Sequence, residues 1–294
     1  MYGVEYARSE NIVMTVHDSA AAAEIVIIKP SRGLVDLDLK ALWRFRDLLH
    51  AFAVRDIRLR YRQTALGVIW VVLQPLLSAL IFAVVFGFIA KMPSQGVPYF
   101  LIAFSGMMGW TLFMGNLTRV TPSLVANSSL IRKIYFPRLL IPLGVVPSVL
   151  VDFAVSLAVM AVLLILYRVT PGIGILLFPF CIVSILMLSL GLGLIGASLS
   201  VKYRDIQHIV PFVTQLLMYA SPVGYSIAAV PARIRPYFLL NPLAEPIDTI
   251  RWAFLGIGQP NYFYLAYSFL ASALVMWIAL IVFRSCEREF ADVI

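Results

Sequence analysis

TALGVIWVVLQPLLSALIFAVVFGFIA, residues 64–90, decides the fold class of this chain. The stretch has 27 residues and no charged side chain. As a helix it would be about 40 Å long, more than the roughly 30 Å hydrocarbon core of a bilayer. Five further apolar runs follow, at about residues 99–117, 139–166, 173–199, 206–229 and 262–283. The sequence therefore predicts an all-α integral membrane protein with six transmembrane helices.

Positive charge is concentrated beside alternate ends of these runs. Lys and Arg crowd residues 40–62, 132–138, 202–204 and 284–288, whereas the other loops hold few of them. Positive charge is retained on the cytoplasmic side of a bilayer. We therefore predict a multi-pass protein of the cytoplasmic (inner) membrane, with both termini in the cytoplasm.

The overall composition excludes a soluble domain and argues against a nucleic-acid partner. The chain is 61% hydrophobic and 13% charged, with a mean hydropathy of +0.92. Its net charge of +8 comes from residues that flank apolar spans, where anionic lipid headgroups attract them. Membrane lipid is thus the expected partner of this charge, and no nucleic acid is expected.

Three regions organise the chain. Residues 1–36 are polar and weakly patterned, which predicts a partly disordered cytoplasmic lead. Residues 37–63 predict an amphipathic helix lying in the membrane interface, although a helix that merely caps the bundle fits equally well. Residues 64–294 form the six-span domain. The polar stripe of the amphipathic helix consists of Lys40, Arg44, Asp47, Arg55, Arg58 and Arg62, opposite Leu42, Phe45, Leu48, Leu49 and Phe52.

The segment between the fifth and sixth spans is unusual. Residues 230–260 are apolar but contain five prolines, so no uninterrupted piece is long enough to cross a membrane. Interrupted backbone at membrane depth needs protein or water around it. We predict a re-entrant helical hairpin that dips into the outer leaflet.

Motifs for catalysis and nucleotide binding are missing from the sequence. No GxxxxGK[ST] phosphate loop occurs, and His17, His50 and His208 are scattered without metal-ligand spacing. We therefore predict no catalytic residues, no metal site and no enzyme activity on this chain. If the protein uses ATP, another polypeptide binds it.

Three stretches together resemble the membrane subunit of ABC-2-type exporters of polysaccharides or polyol phosphates, such as O-antigen or teichoic acid. They are LWRFRDLLHAFAVRDIRLRYRQTALGVIWVVLQPLL (residues 42–77), SLVANSSLIRKIYFPRLLIPL (123–143) and VKYRDIQHIVPFVTQLLMYASPVGY (201–225), followed by NPL and IRWAFLG. The resemblance implies a homodimer of six-span subunits with two cytoplasmic ABC ATPase subunits. These partners would bind the ATP and magnesium, and the cargo would be a glycan linked to polyprenyl pyrophosphate.

The resemblance also implies where the ATPase subunits dock. Residues 130–138 would fit a groove of the ATPase, and the tight joint at 203–205 would form a second contact. An ordinary positive-inside loop, and charges that satisfy their own helix ends, are the alternative interpretations. The expected coupling residues are Arg132, Lys133, Ile134, Tyr135, Phe136, Pro137, Arg138, Tyr203, Arg204 and Asp205.

Arginines near the end of the amphipathic helix suit an anionic lipid headgroup. The planar guanidinium matches phosphate oxygens, so we expect Arg58 and Arg62 to contact the lipid pyrophosphate. Attraction to bulk anionic lipid is the alternative explanation for the whole basic cluster.

Aromatic side chains in spans one, two and five suit a glycan path, because sugar rings pack their C–H faces on aromatic rings. Interfacial belts and ordinary packing are the alternatives. Trp70 and Tyr219 are the preferred channel residues, because spans one and five flank the lateral opening of the resembled family. The full candidate set is Trp70, Phe104, Trp110, Phe113, Tyr219 and Tyr225.

Asp152 is an isolated carboxylate inside the third span. We find no other ionisable group at comparable depth, so a structural hydrogen bond to a neighbouring span is favoured over a proton relay. Functionally, the leading hypothesis is the permease subunit of an ATP-driven polysaccharide exporter. An ABC-2 exporter of another lipid or small molecule is one alternative, and a membrane-embedded transferase acting on polyprenyl-linked sugars is another.

Overall fold

The structure is a computed structural model, and it describes residues 4–5, 12–14, 26–28, 43–62, 68–133 and 136–287. The chain divides into two compact units, Met1–Asp38 and Leu39–Ile294. In the first unit, β1 (Val4–Glu5), β2 (Ile12–Met14) and β3 (Val26–Ile28) pair antiparallel in that order, with Val13 opposite both Glu5 and Ile27. The sequence pattern did not predict these short strands.

All the regular secondary structure described in the second unit is helical. Its long α-helices are α1 (Arg46–Arg62), α2 (Val68–Phe82), α3 (Tyr99–Val120), α6 (Leu140–Leu166), α7 (Phe178–Lys202), α8 (Ile206–Tyr219), α10 (Ala244–Leu255) and α11 (Tyr262–Glu287). Its short α-helices are α4 (Ser123–Ala126), α5 (Ser128–Ile131) and α9 (Arg235–Leu239). A π-helix at Ala83–Ile89 extends α2, and 3₁₀ turns lie at Ile173–Leu177 and Ile227–Ala229.

Within the described residues, five helical stretches are long and apolar enough to cross a membrane: Ile69–Ile89, Tyr99–Val120, Leu140–Leu166, Ile173–Lys202 and Tyr262–Glu287. They coincide with predicted spans one to four and six. The predicted fifth span, residues 206–229, contains α8, which has 14 residues and is about 21 Å long. The predicted number of six spans is therefore not confirmed.

The centre of the bundle is α3. Residues 101–110 are buried without interruption, and α3 packs against α2, α6, α7 and α10. Small residues on α7 allow close approach: a Cβ at Gly193 would lie 2.8 Å from Val120 of α3, and one at Gly191 would lie 3.0 Å from the Met276 backbone of α11. Asn116 of α3 also donates to Ser189 of α7 at 2.9 Å. The face of α7 that carries Ser189, Gly191 and Gly193 is thus a packing surface.

Helix α1 runs beside α6. Phe52 meets Gly144, where an added Cβ would lie 2.7 Å from the Phe52 Cβ, and Arg60 meets Asp152, with 3.0 Å between Nη2 and Oδ2. The two contacts are eight residues apart on both helices, so α1 follows α6 in the same direction for about 12 Å. The amphipathic helix therefore has a protein partner along its length, which a helix lying freely on a lipid surface would lack.

The predicted hairpin region contains two helices, α9 with 5 residues and α10 with 12. All the residues of α10 except Trp252 are buried, so α10 is part of the protein core. Below, the end of the bundle that carries residues 119–138 and 202–205 is called the basic end, and the other is called the far end.

Candidate functional site

The segment predicted to dock onto an ATPase lies at the basic end. Arg132 and Lys133 are exposed at the end of α5, whereas Ile134 and Tyr135 lie outside the described residues. Phe136 was expected to be an anchor for the partner, but it is 5% exposed and its ring packs on Phe52 of α1, with centroids 5.8 Å apart. Phe136 thus makes an internal contact with α1 in this structure, and its predicted role as an anchor stays a prediction.

The C-terminal part of the same segment contacts the last membrane helix. Pro137 and Arg138 are partly buried, and the Arg138 guanidinium donates to the main-chain carbonyl of Glu287 at the end of α11. Residues 132–138 thus combine an exposed basic tip with internal contacts to α1 and α11. A force on the tip would be transmitted to both helices.

The second joint lies at the same end of the bundle. Tyr203, Arg204 and Asp205 are all exposed, and the Lys202 ammonium lies 5.8 Å from the centroid of the Tyr203 ring. Among the described residues, the Asp205 side chain caps no N–H group of α8. Asp205 is nevertheless the N-cap residue of α8, where a carboxylate suits the helix dipole, so both interpretations of this joint stay open.

The candidate headgroup residues lie on α1. Arg58 is exposed, and Arg62 is the last residue of α1, with a side chain outside the described set. The arginine between them has a different environment. Arg60 turns towards the bundle and pairs with Asp152 of α6.

Asp152 has ionic partners that the sequence analysis missed. Arg60 and Arg119 both pair with its Oδ2 atom, and Arg119 also lies 3.5 Å from the Ser148 hydroxyl. The expectation that no ionisable group lies at comparable depth was wrong, because Arg119 belongs to the last turn of α3 and α1 leans along α6. One signal was available: Arg60 lies off the polar stripe of α1, on the side of Phe52.

The six candidate channel aromatics fall into two groups. Trp70 is 50% exposed on α2 and Tyr219 is 64% exposed at the end of α8. Tyr225 is partly buried, between the rings of Phe86 and Phe238. In contrast, three rings of α3 have almost no exposed surface, namely Phe104 (0%), Trp110 (1%) and Phe113 (0%). These three rings pack within the subunit, and their predicted contact with cargo stays a prediction.

Two exposed amides accompany the exposed aromatic rings. Gln74 lies one helical turn from Trp70 on α2, and Gln215 lies one turn from Tyr219 on α8; both are exposed. The outer parts of the two segments meet where Phe82 closely approaches Gly224 and Phe86 contacts Tyr225. An amide in hydrocarbon lacks hydrogen-bond partners. These two faces therefore suit water, protein or a polar cargo.

A buried polar cluster holds the far end together. Arg251 of α10 is fully buried and pairs with Asp248 at 2.5 Å. Its Nη2 donates to the carbonyls of Pro222 and Val223, both at 3.0 Å, and its Nε donates to that of Ile102 at 3.3 Å. No role was predicted for Arg251 from the sequence. The cluster joins α10, α3 and the segment after α8.

The titratable side chains of the described residues also bear on the question of a metal site. In the part of the chain that the structure describes, no group of three or more His, Cys, Asp and Glu side chains could hold a metal ion. The candidate functional features are instead an exposed basic tip, which is joined to α1 and α11, and the aromatic and amide faces of α2 and α8.

Comparisons with known proteins agree with an α-helical membrane protein that takes part in transport. Residues 47–255 match the family described as ABC-2 type transporter. The O-antigen export system permease protein RfbA of Klebsiella pneumoniae is 28% identical over 249 residues, which cover 84% of this chain and 95% of the relative. RfbA of Myxococcus xanthus is 28% identical over 256 residues, covering 86% and 98%. The polysialic acid transport protein KpsM of Escherichia coli is 25% identical over 250 residues, covering 82% and 93%.

Proposed function

Because this chain belongs to the ABC-2 type transporter family, we propose that it is the permease subunit of an ATP-driven exporter that moves a lipid-linked polysaccharide across the cytoplasmic membrane. The names of its relatives carry this proposal. All three similar proteins described above are named for O-antigen export or polysialic acid transport, and they match this chain along almost their whole length. The transferase alternative has no such support. An O-antigen-type glycan on polyprenyl pyrophosphate is the proposed cargo.

The proposed topology places the basic end in the cytoplasm, as the distribution of positive charge requires. The five helical stretches that are long and apolar enough to cross a membrane are its spans. Helix α8 with residues 220–229 provides a sixth, interrupted crossing. Helices α9 and α10 then form the re-entrant hairpin at the outer face. Interrupted backbone is tolerated there because buried side chains, chiefly Arg251, bind its carbonyl groups.

Two cytoplasmic ATPase subunits, which would hold the ATP and magnesium, are the proposed partners of the basic end. Arg132, Lys133 and the joint Tyr203–Asp205 are exposed and available for docking, and Ile134 and Tyr135 remain the expected apolar anchors. Phe136 and Arg138 then transmit the motion, because they contact α1 and α11.

A homodimer provides the proposed glycan path. Six helices packed at ordinary spacing leave little room for a sugar chain within one subunit. The exposed faces of α2 and α8 would instead meet their copies across a shared path, presenting Trp70, Gln74, Gln215 and Tyr219 to the cargo. Arg58 and Arg62 would contact the lipid pyrophosphate on the cytoplasmic side.

Reconstitution tests the proposal directly. The chain would be co-expressed with an ATPase subunit and placed in vesicles loaded with polyprenyl-pyrophosphate-linked glycan. Glycan that becomes accessible to an added glycosidase would then be measured with and without ATP. We expect movement that requires ATP hydrolysis. Movement of the glycan with no nucleotide hydrolysed and no second subunit present would overturn the proposal.

A charge-reversal pair tests docking in the same preparation. Arg132→Glu with Lys133→Glu should lose the co-purifying ATPase while membrane abundance stays unchanged, because both side chains are exposed. The matched control is Arg233→Glu, an exposed arginine between the fifth and sixth predicted spans. Retention of the ATPase by the double variant would remove the docking assignment without affecting the export assay.

A further inference from the structure

The strongest unassigned feature is the cluster of Arg60, Asp152 and Arg119, which joins three helices. Both guanidinium groups reach the same carboxylate oxygen, Oδ2. The Asp152 side chain is 13% exposed, that of Arg119 is 26% exposed and that of Arg60 is 36% exposed. Helix α1 therefore reaches the interior of the bundle through one ionic contact that it shares with α3.

The position of this contact on α1 suits it to transmit movement from the coupling segment. Eight residues earlier on α1, Phe52 packs on Phe136 of the coupling segment. The middle of α1 thus contacts the segment proposed to receive the push, and a point about 12 Å further along contacts α6 and α3. A shift of residues 132–138 would move Phe52 and pull on Arg60.

The contact between Arg60 and Asp152 can be released because Asp152 has a second arginine partner, Arg119. Leaving a buried carboxylate unpaired is strongly unfavourable. If α1 moves away, however, Asp152 stays paired with Arg119. An ion pair that is partly open to solvent also contributes little to stability. The arrangement thus favours exchange between two states over simple reinforcement of the fold.

We propose that Arg60, Asp152 and Arg119 form a releasable latch between α1 and the α3–α6 pair, through which movement of the coupling segment reaches the membrane helices. Arg60 is a positioning residue, engaged in the state seen here and released when the coupling segment moves. Arg119 keeps Asp152 paired in the released state. This inference rests on the proposed function.

Two single variants should fail in different ways. Arg60→Gln removes the latch but leaves Asp152 paired with Arg119, so ATP hydrolysis should continue while export falls. The ATP hydrolysed per glycan exported should rise about threefold or more. Arg119→Gln removes the arginine that stays paired with Asp152, so release of Arg60 becomes less favourable, and hydrolysis and export should fall together with the ratio nearly unchanged. Arg60→Lys should restore part of the coupling.

The control is Arg46→Gln, an exposed arginine on the same helix, which should match the wild type. Thermal unfolding of each purified complex separates coupling from folding, and Arg60→Gln should unfold at nearly the wild-type temperature. A wild-type ratio in Arg60→Gln would overturn the latch, as would a loss of export fully explained by a lower unfolding temperature. Absence of ATP-driven export in the wild type would instead refute the proposed function.

Discussion

At the scale of single residues, the most constrained position is Gly106 on α3. A Cβ there would lie 2.0 Å from the Val223 carbonyl oxygen and 2.6 Å from Nη2 of Arg251. The missing side chain lets the backbone of the segment after α8 approach α3 closely. It also leaves space for the guanidinium that binds this segment. Gly115, on the same helix, has ordinary surroundings, with its nearest neighbour 3.6 Å from the added Cβ.

These two glycines provide a matched test. Gly106→Ala should destabilise the purified protein by about 3 kcal/mol, because neither backbone nor buried guanidinium can move aside easily. Gly115→Ala should be neutral or stabilising by about 0.5–1 kcal/mol, since alanine favours helix. Unfolding in mild detergent measures both. Equal stability of the two variants would show that the close approach at Gly106 is not important for the fold.

Single-residue roles were the hardest to predict from the sequence. Phe104, Trp110 and Phe113 belong to a helix that is apolar on most sides, and such a pattern does not reveal which face a partner covers. Arg251 sits between prolines in a stretch that resembles a loop, and its carbonyl partners are supplied by residues 102, 222 and 223. Trp70 and Tyr219 lie at exposed positions, which are compatible with their predicted contact with the cargo.

At the scale of elements, the junction between α10 and α11 depends on a buried acid. Glu245 is 4% exposed, and its Oε1 accepts a hydrogen bond of 2.6 Å from the Asn261 main-chain N–H. Burial raises the pKa of Glu245 from 4.5 to about 7. The Asn261 N–H opposes this rise, and the nearby charge of Asp248 adds to it.

A defined pH dependence follows from this junction. The folded state binds the Glu245 proton more tightly than the unfolded state, so stability should fall as pH rises from about 4.5 to about 7. Glu245→Gln keeps an acceptor for the Asn261 N–H without a charge. It should flatten this part of the profile and raise the unfolding temperature at pH 8 by about 5 °C. Asp47→Asn, on the exposed part of α1, should leave the profile unchanged; an unchanged profile in Glu245→Gln would contradict the assignment.

Element prediction succeeded where the hydrophobic pattern forms one long helix, whereas the fifth span is not confirmed because its helix ends early. Residues 206–229 are apolar enough to predict one span, yet α8 ends at Tyr219. The following segment contains Pro222 and Gly224, and its carbonyls bind Arg251. A distant side chain thus satisfies the backbone groups that would otherwise continue the helix. Hydropathy alone carries no information about such a partner.

At the scale of the whole molecule, the exposed faces of α11 and α8 differ in polarity. This difference indicates which face contacts lipid and which contacts protein. Between Leu270 and Ile278, the exposed residues of α11 are apolar or aromatic, as a lipid-facing surface should be. Helix α8 exposes Phe212 and Leu216 together with His208 and Gln215. Polar side chains at membrane depth face protein or water. The second subunit should therefore lie against α8.

Cysteine cross-linking tests this arrangement of two subunits. In a Cys286→Ser background, where the remaining Cys181 is buried, Phe212→Cys on α8 should give a disulfide-linked dimer upon mild oxidation in native membranes. Leu274→Cys on α11 has similar exposure, 55% against 62% for Phe212, and should stay monomeric because it faces lipid. The measurement is the mobility of the chain without reductant. Cross-linking through Leu274→Cys but not through Phe212→Cys would move the interface to α11 and separate the glycan path from Trp70 and Tyr219.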